Sequence, residues 1–135
     1  MEEFKLLLIS AERLFYNGPC VSLIIPAFDG SYGVMAHHAE TVTALIPGEL
    51  RYTTPDGITT VVASGPGFAL VNSRDVVVLV DTLELPEEID ANRARREYEE
   101  AQEALRQKQS QKEHRMTEMA LAKALGRLQV KDHYR

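Results

Sequence analysis

Leu85-Pro86-Glu87-Glu88-Ile89-Asp90-Ala91-Asn92-Arg93-Ala94 carries the chain across its one abrupt change of character. Pro86 is the last of six prolines, and seven of the eight glycines precede it. The 49 residues beyond it hold one glycine, Gly126, and only three β-branched residues, Ile89, Thr117 and Val130. Pro and Gly punctuate turns and Val, Ile and Thr favour strands, whereas Ala, Glu, Gln, Arg and Leu favour helix. Residues 1–86 therefore read as β and residues 87–135 as helical. Asp90 marks the first helix start: its carboxylate can accept from exposed backbone N–H groups, Ile89 stands one residue outside to staple onto Ala94, and Glu87 and Glu88 add negative charge nearby.

Upstream, short apolar or alternating runs are separated by turn signals: Phe4 to Ile9, Leu14 to Tyr16, Cys20 to Ile25, Thr43 to Ile46, Leu50 to Thr54, Ile58 to Ala63, Phe68 to Val71 and Val76 to Leu83. That spacing predicts an antiparallel β-sandwich or flattened barrel. Pro55-Asp56-Gly57 closes the clearest hairpin, with Pro presetting φ and Gly supplying a positive one, and Asn72-Ser73-Arg74-Asp75 reads as a second turn. Downstream, Ala91, Ala94, Tyr98, Ala101 and Leu105 form a narrow apolar seam, and Thr117, Leu121, Ala124 and Leu128 form another. The polar stretch Gln107-Lys108-Gln109-Ser110-Gln111-Lys112 joins them without Gly or Pro. Two helices result that can fold into an antiparallel hairpin or straighten, because little apolar area secures the folded form.

Charge divides at the same place. Up to Ile89 there are 4 basic and 12 acidic side chains, a net of −8; from Asp90 onward 11 and 8 give +3, in keeping with the overall −5. The acids interleaved in the basic part, and the lack of an arginine-rich run, disfavour nucleic acid as a partner. Cys20 is the only cysteine, so an internal disulfide and a cysteine-rich zinc site are both excluded, and it reads as a small buried hydrophobe. Met1-Glu2-Glu3 lacks the basic opening of a signal peptide. The longest purely apolar run, Val76 to Val80, is too short to span a bilayer, so the expectation is a cytosolic protein that meets membranes only through partners.

Four stretches, in order and in register, resemble the epsilon subunit of the F-type ATP synthase: Ser10-Ala11-Glu12-Arg13-Leu14-Phe15-Tyr16-Asn17-Gly18, Asp29-Gly30-Ser31-Tyr32-Gly33-Val34-Met35-Ala36-His37-His38-Ala39, Gly65-Pro66-Gly67-Phe68 and Ile89-Asp90-Ala91-Asn92-Arg93-Ala94. The resemblance spans nearly the whole chain. It implies a non-catalytic central-stalk subunit of bacterial type that binds the gamma subunit, rests on the proton-driven c-ring and turns with both. It also implies a tail that either lies folded on the sandwich or extends into the catalytic alpha/beta head and blocks ATP hydrolysis. The expected location is peripheral, on the cytoplasmic face of the cell membrane. Lack of a transit peptide argues against an imported organellar form and allows a chloroplast-encoded one.

The same resemblance implies site residues. The loop carrying Asp29, Gly30, Gly33 and His38 faces the c-ring, with Gly30 and Gly33 free to take positive φ for close approach. Glu84, Asp90, Arg93, Lys123 and Arg127 match positions with which some bacterial relatives hold ATP, as a regulator and not a required cofactor. Glu100 stands where those relatives place a further arginine and would repel phosphate. From the residues alone, Asp90 is explained as a helix cap and Ala94 as packing. Lys123, Arg127 and Lys131 recur every four residues as a basic stripe, solvated by ordinary rules, which the resemblance turns toward an acidic segment of the catalytic subunits.

No metal is implied. His37-His38 is a conceivable site for one, but neighbouring residues of a strand point to opposite faces, and loop packing or partner contact accounts for the pair. No Ser-His-Asp order, paired carboxylates or phosphate-binding loop suggests an enzyme. The alternative from another class is a stand-alone β-sandwich module that dimerises through the seams of its helical hairpin.

Overall fold

A computed structural model of the chain describes residues 2–107 and 110–133. The strands are β1 (Phe4–Ser10), β2 (Leu14–Cys20), β3 (Ser22–Ala27), β4 (Gly30–Val34), β5 (Thr41–Leu45), β6 (Gly48–Thr53), β7 (Thr59–Ser64), β8 (Gly67–Val71), β9 (Asp75–Val80) and β10 (Leu83–Glu84). A 3-10 turn at Pro86–Glu88 leads into helices α1 (Ala91–Arg106) and α2 (Gln111–His133). The strands run in the order β10-β7-β6-β3-β5-β8-β9-β1-β2, with β4 added to β3. The β3–β5 ladder holds a single pair, Ala27 with Leu45, and there one group of strands passes into the other. Leu6, Leu8, Val76 and Val78 from one group and Leu23, Ile25, Leu50 and Val62 from the other are fully buried in one core, which is the expected sandwich.

Several local expectations hold. Gly57 has φ 86° in the β6–β7 turn, where the Thr54 N–H donates to the Ile58 carbonyl at 3.0 Å. The Asn72 side chain closes its own turn by accepting from the Asp75 N–H at 2.7 Å. Cys20 is buried, and burial pushes its thiol pKa up.

Other expectations are corrected. Gly30 and Gly33 lie in a strand, β4, rather than a loop; glycine carries no strand signal, yet five register pairs with β3 hold the segment in place. Gly30 has φ 121°, but the second positive φ of the region belongs to His37, at 64°, and not to Gly33. Pairing is antiparallel except between β1 and β9, which run parallel over Lys5–Asp75 to Ser10–Val80. Val76 to Leu83 splits into β9 and β10 at Asp81-Thr82. Strand β2 continues through Pro19, which its position at the end of the sheet permits, since an edge strand need not donate on its outer side.

The tail forms the hairpin. Helix α2 packs against β6 and β7, and α1 packs against α2. Ala94, Ala101 and Ala124 are buried, so the two seams are used against each other inside one chain, and a dimerising hairpin loses its surface. Ile89 is buried with Val61, Ala63 and Val130, which anchors the junction to the sheet. The polar joining stretch separates the two helices, and of the two forms open to it the tail takes the hairpin. Gln107 is extended at ψ 153°, and Ser110 Oγ accepts from the Glu113 N–H at 3.2 Å as the cap of the next helix. Lys108 and Gln109 of that stretch lie outside the described residues.

Candidate functional site

The charged side chains singled out in the tail converge on the junction. Asp90 caps α1, its Oδ1 accepting from the Arg93 N–H at 3.1 Å. Arg127 on α2 reaches two elements at once: its Nε donates to Glu84 Oε1 on β10 at 2.6 Å and its Nη1 to Glu97 Oε2 on α1 at 2.9 Å. Arg93 Nε holds the other oxygen of Glu97 at 2.9 Å. Lys123 Nζ pairs with Asp81 Oδ2 at 3.1 Å, and Lys131 Nζ donates to the Pro86 carbonyl at 2.9 Å. Every member of the basic stripe is thus turned toward the chain's own sandwich or junction, neither simply solvated nor aimed outward. Periodicity could place the three on one helix face, but not say what that face meets.

Glu84, Asp90, Arg93 and Arg127 surround a cavity of about 80 Å³ with Glu88 and Ala94, whereas Lys123 stands away from it, in the groove between the helices beside Glu97 and Glu100. Small-molecule pockets usually enclose roughly 300–1,000 Å³. Both arginines are already paired with Glu97, which the sequence reading did not single out, and with Glu84 on Arg127 two carboxylates balance the two cations. The signal for Glu97 was present as the four-residue step from Arg93. With side-chain exposures of 22% and 26%, Arg127 and Glu84 are screened less than a surface pair, and the cluster works as a latch across three elements.

A second ion pair closes the other side of the junction. Arg13 Nη2 donates to both oxygens of Glu88 at 3.0 and 3.1 Å, and Glu88 Oε1 accepts from the Leu85 N–H at 2.9 Å. The Leu85 N–H and then Arg13 hold the Glu88 carboxyl below the usual glutamate range, partly offset by desolvation. A pKa lowered by folding contributes stability that is complete above the unfolded value and is lost as pH falls through the folded one. Urea midpoints should therefore show wild type ahead of Glu88→Gln at neutral pH, with the gap closing as pH falls below the usual glutamate range and through the lowered folded value. A gap independent of pH would remove Glu88 from the acid response.

The residues singled out around the glycine-rich stretch lie along and beyond β4. Asp29 lies in the exposed turn before β4, Gly30 and Gly33 are exposed within the strand, and His38 lies past its far end, half-buried, with its Nε2 bonded to the Tyr32 hydroxyl. Asp29 and Gly30 stand at one end of β4, while His38 comes four residues after the other end and bonds back to Tyr32 within the strand. His37 pairs instead with Glu2, so the adjacent imidazoles have different partners. Among the described residues no group of three His, Cys, Asp or Glu side chains is arranged to hold a metal, and no helix is long and apolar enough to cross a membrane.

One surface went unread in the sequence. Phe68, Leu79, Ile9 and Leu14 stand opposite one another in turn across β8, β9, β1 and β2, and Val42 stands opposite Leu70 beside them. Phe68 is 56% exposed and Val42 66%. The signal was the continuous apolar run of β9: a strand apolar on both faces needs cover on both.

Residues 3–86 match the family described as ATP synthase, Delta/Epsilon chain, beta-sandwich domain, and residues 87–132 match the ATP synthase, Delta/Epsilon chain, long alpha-helix domain. The ATP synthase epsilon chain of Ruminiclostridium cellulolyticum is 38% identical over 135 residues, covering 100% of both chains. That of Caldicellulosiruptor saccharolyticus is 36% identical over 96% of this chain and 94% of its own. Among solved structures, a chain of the Euglena gracilis mitochondrial ATP synthase, in a structure of its OSCP, F1 and c-ring, superposes with a TM-score of 0.81 at 27% identity, over 97% of this chain and 82% of that one.

Proposed function

Since this chain belongs to the ATP synthase delta/epsilon family, we propose that it serves as the epsilon subunit of a rotary ATP synthase, a non-catalytic part of the central stalk that joins gamma to the c-ring. The observation that carries the reading is the division of apolar surface. The helical seams are covered within the chain, while the β8-β9-β1-β2 face leaves Phe68, Leu79 and Leu14 exposed side by side, an apolar surface of the chemistry that a protein partner covers. That face takes gamma. The β3–β4 turn, with Phe28 89% exposed beside Asp29 and Gly30, meets the c-ring. The complex places the subunit peripherally, and we assign it to the cytoplasmic face.

The hairpin is the regulatory element. Docked, it is held by the Arg127, Lys123 and Lys131 latch; released, it extends toward the catalytic head and restrains ATP hydrolysis. Added to a catalytic head and gamma purified without this subunit, the chain should bind gamma and lower ATPase activity. Binding without inhibition would confine it to a structural role, and no binding would remove the stalk assignment.

ATP is not needed to hold the docked state, because Glu84 and Glu97 already occupy the cations that phosphate would use and Glu100 adds a further negative charge. Calorimetric titration should show weak or undetectable binding. A tight isotherm that disappears in Arg93→Ala and Arg127→Ala would mean that nucleotide displaces the carboxylates.

A further inference from the structure

We propose that Gly126 is a size gate: the absence of a side chain there sets how readily α2 docks on the sheet, and thereby the balance between docked and released tail. The inference rests on the two-state tail proposed above. Gly126 is the only glycine of the helical part and lies buried in the middle of a 23-residue helix, where glycine is the poorest helix former but proline. Local propensity therefore works against it, and its compensation is tertiary. A Cβ at 126 would stand 3.2 Å from Gly48 Cα and 3.4 Å from Gly48 N, so helix and strand meet backbone to backbone at a pair of glycines.

Neither side can retreat freely. Gly48 is paired with Ser64 in the β6–β7 ladder, and a Cβ on Gly48 would itself stand 2.9 Å from Pro26 Cβ, which packs beneath it. Lifting α2 instead would stretch the Lys123–Asp81 and Arg127–Glu84 pairs and draw Val130 out of its cluster with Val61, Ala63 and Ile89. The helix persists whether the tail is docked or released, so the helix-forming gain from a side chain at 126 is common to both states. The steric penalty exists in the docked state alone. Residue size at one position therefore shifts the equilibrium while leaving the helix stronger.

The test uses the full-length chain with Gly126→Ala and Gly126→Leu. Two readouts are followed: helical circular dichroism, and the rate of trypsin cleavage after Lys123, Arg127 and Lys131 at protease levels where opening precedes cleavage. Helicity should hold or rise in both variants, while cleavage accelerates by roughly 5- to 100-fold for Ala and more for Leu. Cleavage unchanged or slower alongside higher helicity would overturn the gate and leave Gly126 as a helix flaw. A wild-type tail cut as fast as an unprotected peptide would instead overturn the docked state itself. Because no ATPase measurement enters, a subunit that fails to inhibit a catalytic head leaves the outcome readable.

Discussion

Converting Lys123, Arg127 and Lys131 together to glutamate is expected to release the tail from the sandwich and to relieve inhibition of ATP hydrolysis without freeing the subunit from gamma. Release follows from the docked contacts. At position 127 a guanidinium held by Glu84 and Glu97 becomes a third carboxylate; at 123 a new one faces Asp81; at 131 the donor to the Pro86 carbonyl is lost. An exposed pair is worth about 0–1 kcal/mol, whereas breaking a buried one costs roughly 3–5. Arg127, largely covered and doubly bonded, lies between these limits, and the four-residue apolar cluster behind it has little area with which to resist. Amide exchange of α2 should therefore accelerate by at least about a hundredfold, most strongly at low salt, since the Debye length is ~10 Å at 0.1 M. Glutamate and lysine have similar helix propensities, so the helix itself survives.

Relief of inhibition follows from the proposal that the released stripe faces acidic residues of the catalytic subunits, where attraction would turn to repulsion. The two halves of this prediction separate. A released tail that inhibits more strongly than wild type would confine the stripe to holding the docked state. Unchanged amide exchange would show that the apolar contacts, and not the latch, hold the hairpin down.

What the sequence disclosed was what neighbouring residues decide. Asp90 as a cap, Pro55-Asp56-Gly57 as a turn and the apolar seam of each helix depend on residues within a few positions of one another, and each stands as read. Strand β4 escaped because its glycines have no preference of their own, so only its ladder to β3 makes it a strand. The parallel β1–β9 pair joins segments some seventy positions apart, and no local pattern encodes such a meeting. The latch was half legible. Its cations could be placed on one helix face, but Asp81 and Glu84 become their partners only once β10 pairs with β7 and α2 crosses that edge. For Gly126 the composition break gave a clue, as the one residue contradicting its own helix, and its reason lay on another element.

The division at Pro86 predicts the second large effect: a chain ending after Glu88 should fold as a sandwich, bind gamma and lose all inhibition. The main core draws its buried residues from positions 4 to 83 alone, so none is removed. Arg13, Glu88 and the Leu85 N–H still close the end of the 3-10 turn. What is lost is the cover over Val61 and Ala63, supplied by Ile89 and Val130, together with the partners of Asp81 and Glu84. Exposing one valine and one alanine costs about 2 kcal/mol at ~25 cal/mol per Å², so the urea midpoint should fall while the transition stays cooperative. Circular dichroism should retain the β signal and lose the helical one. Loss of the β signal would mean that the tail is part of the fold and not an appendage to it, and inhibition equal to that of the full chain would move the brake from the helices to the sandwich.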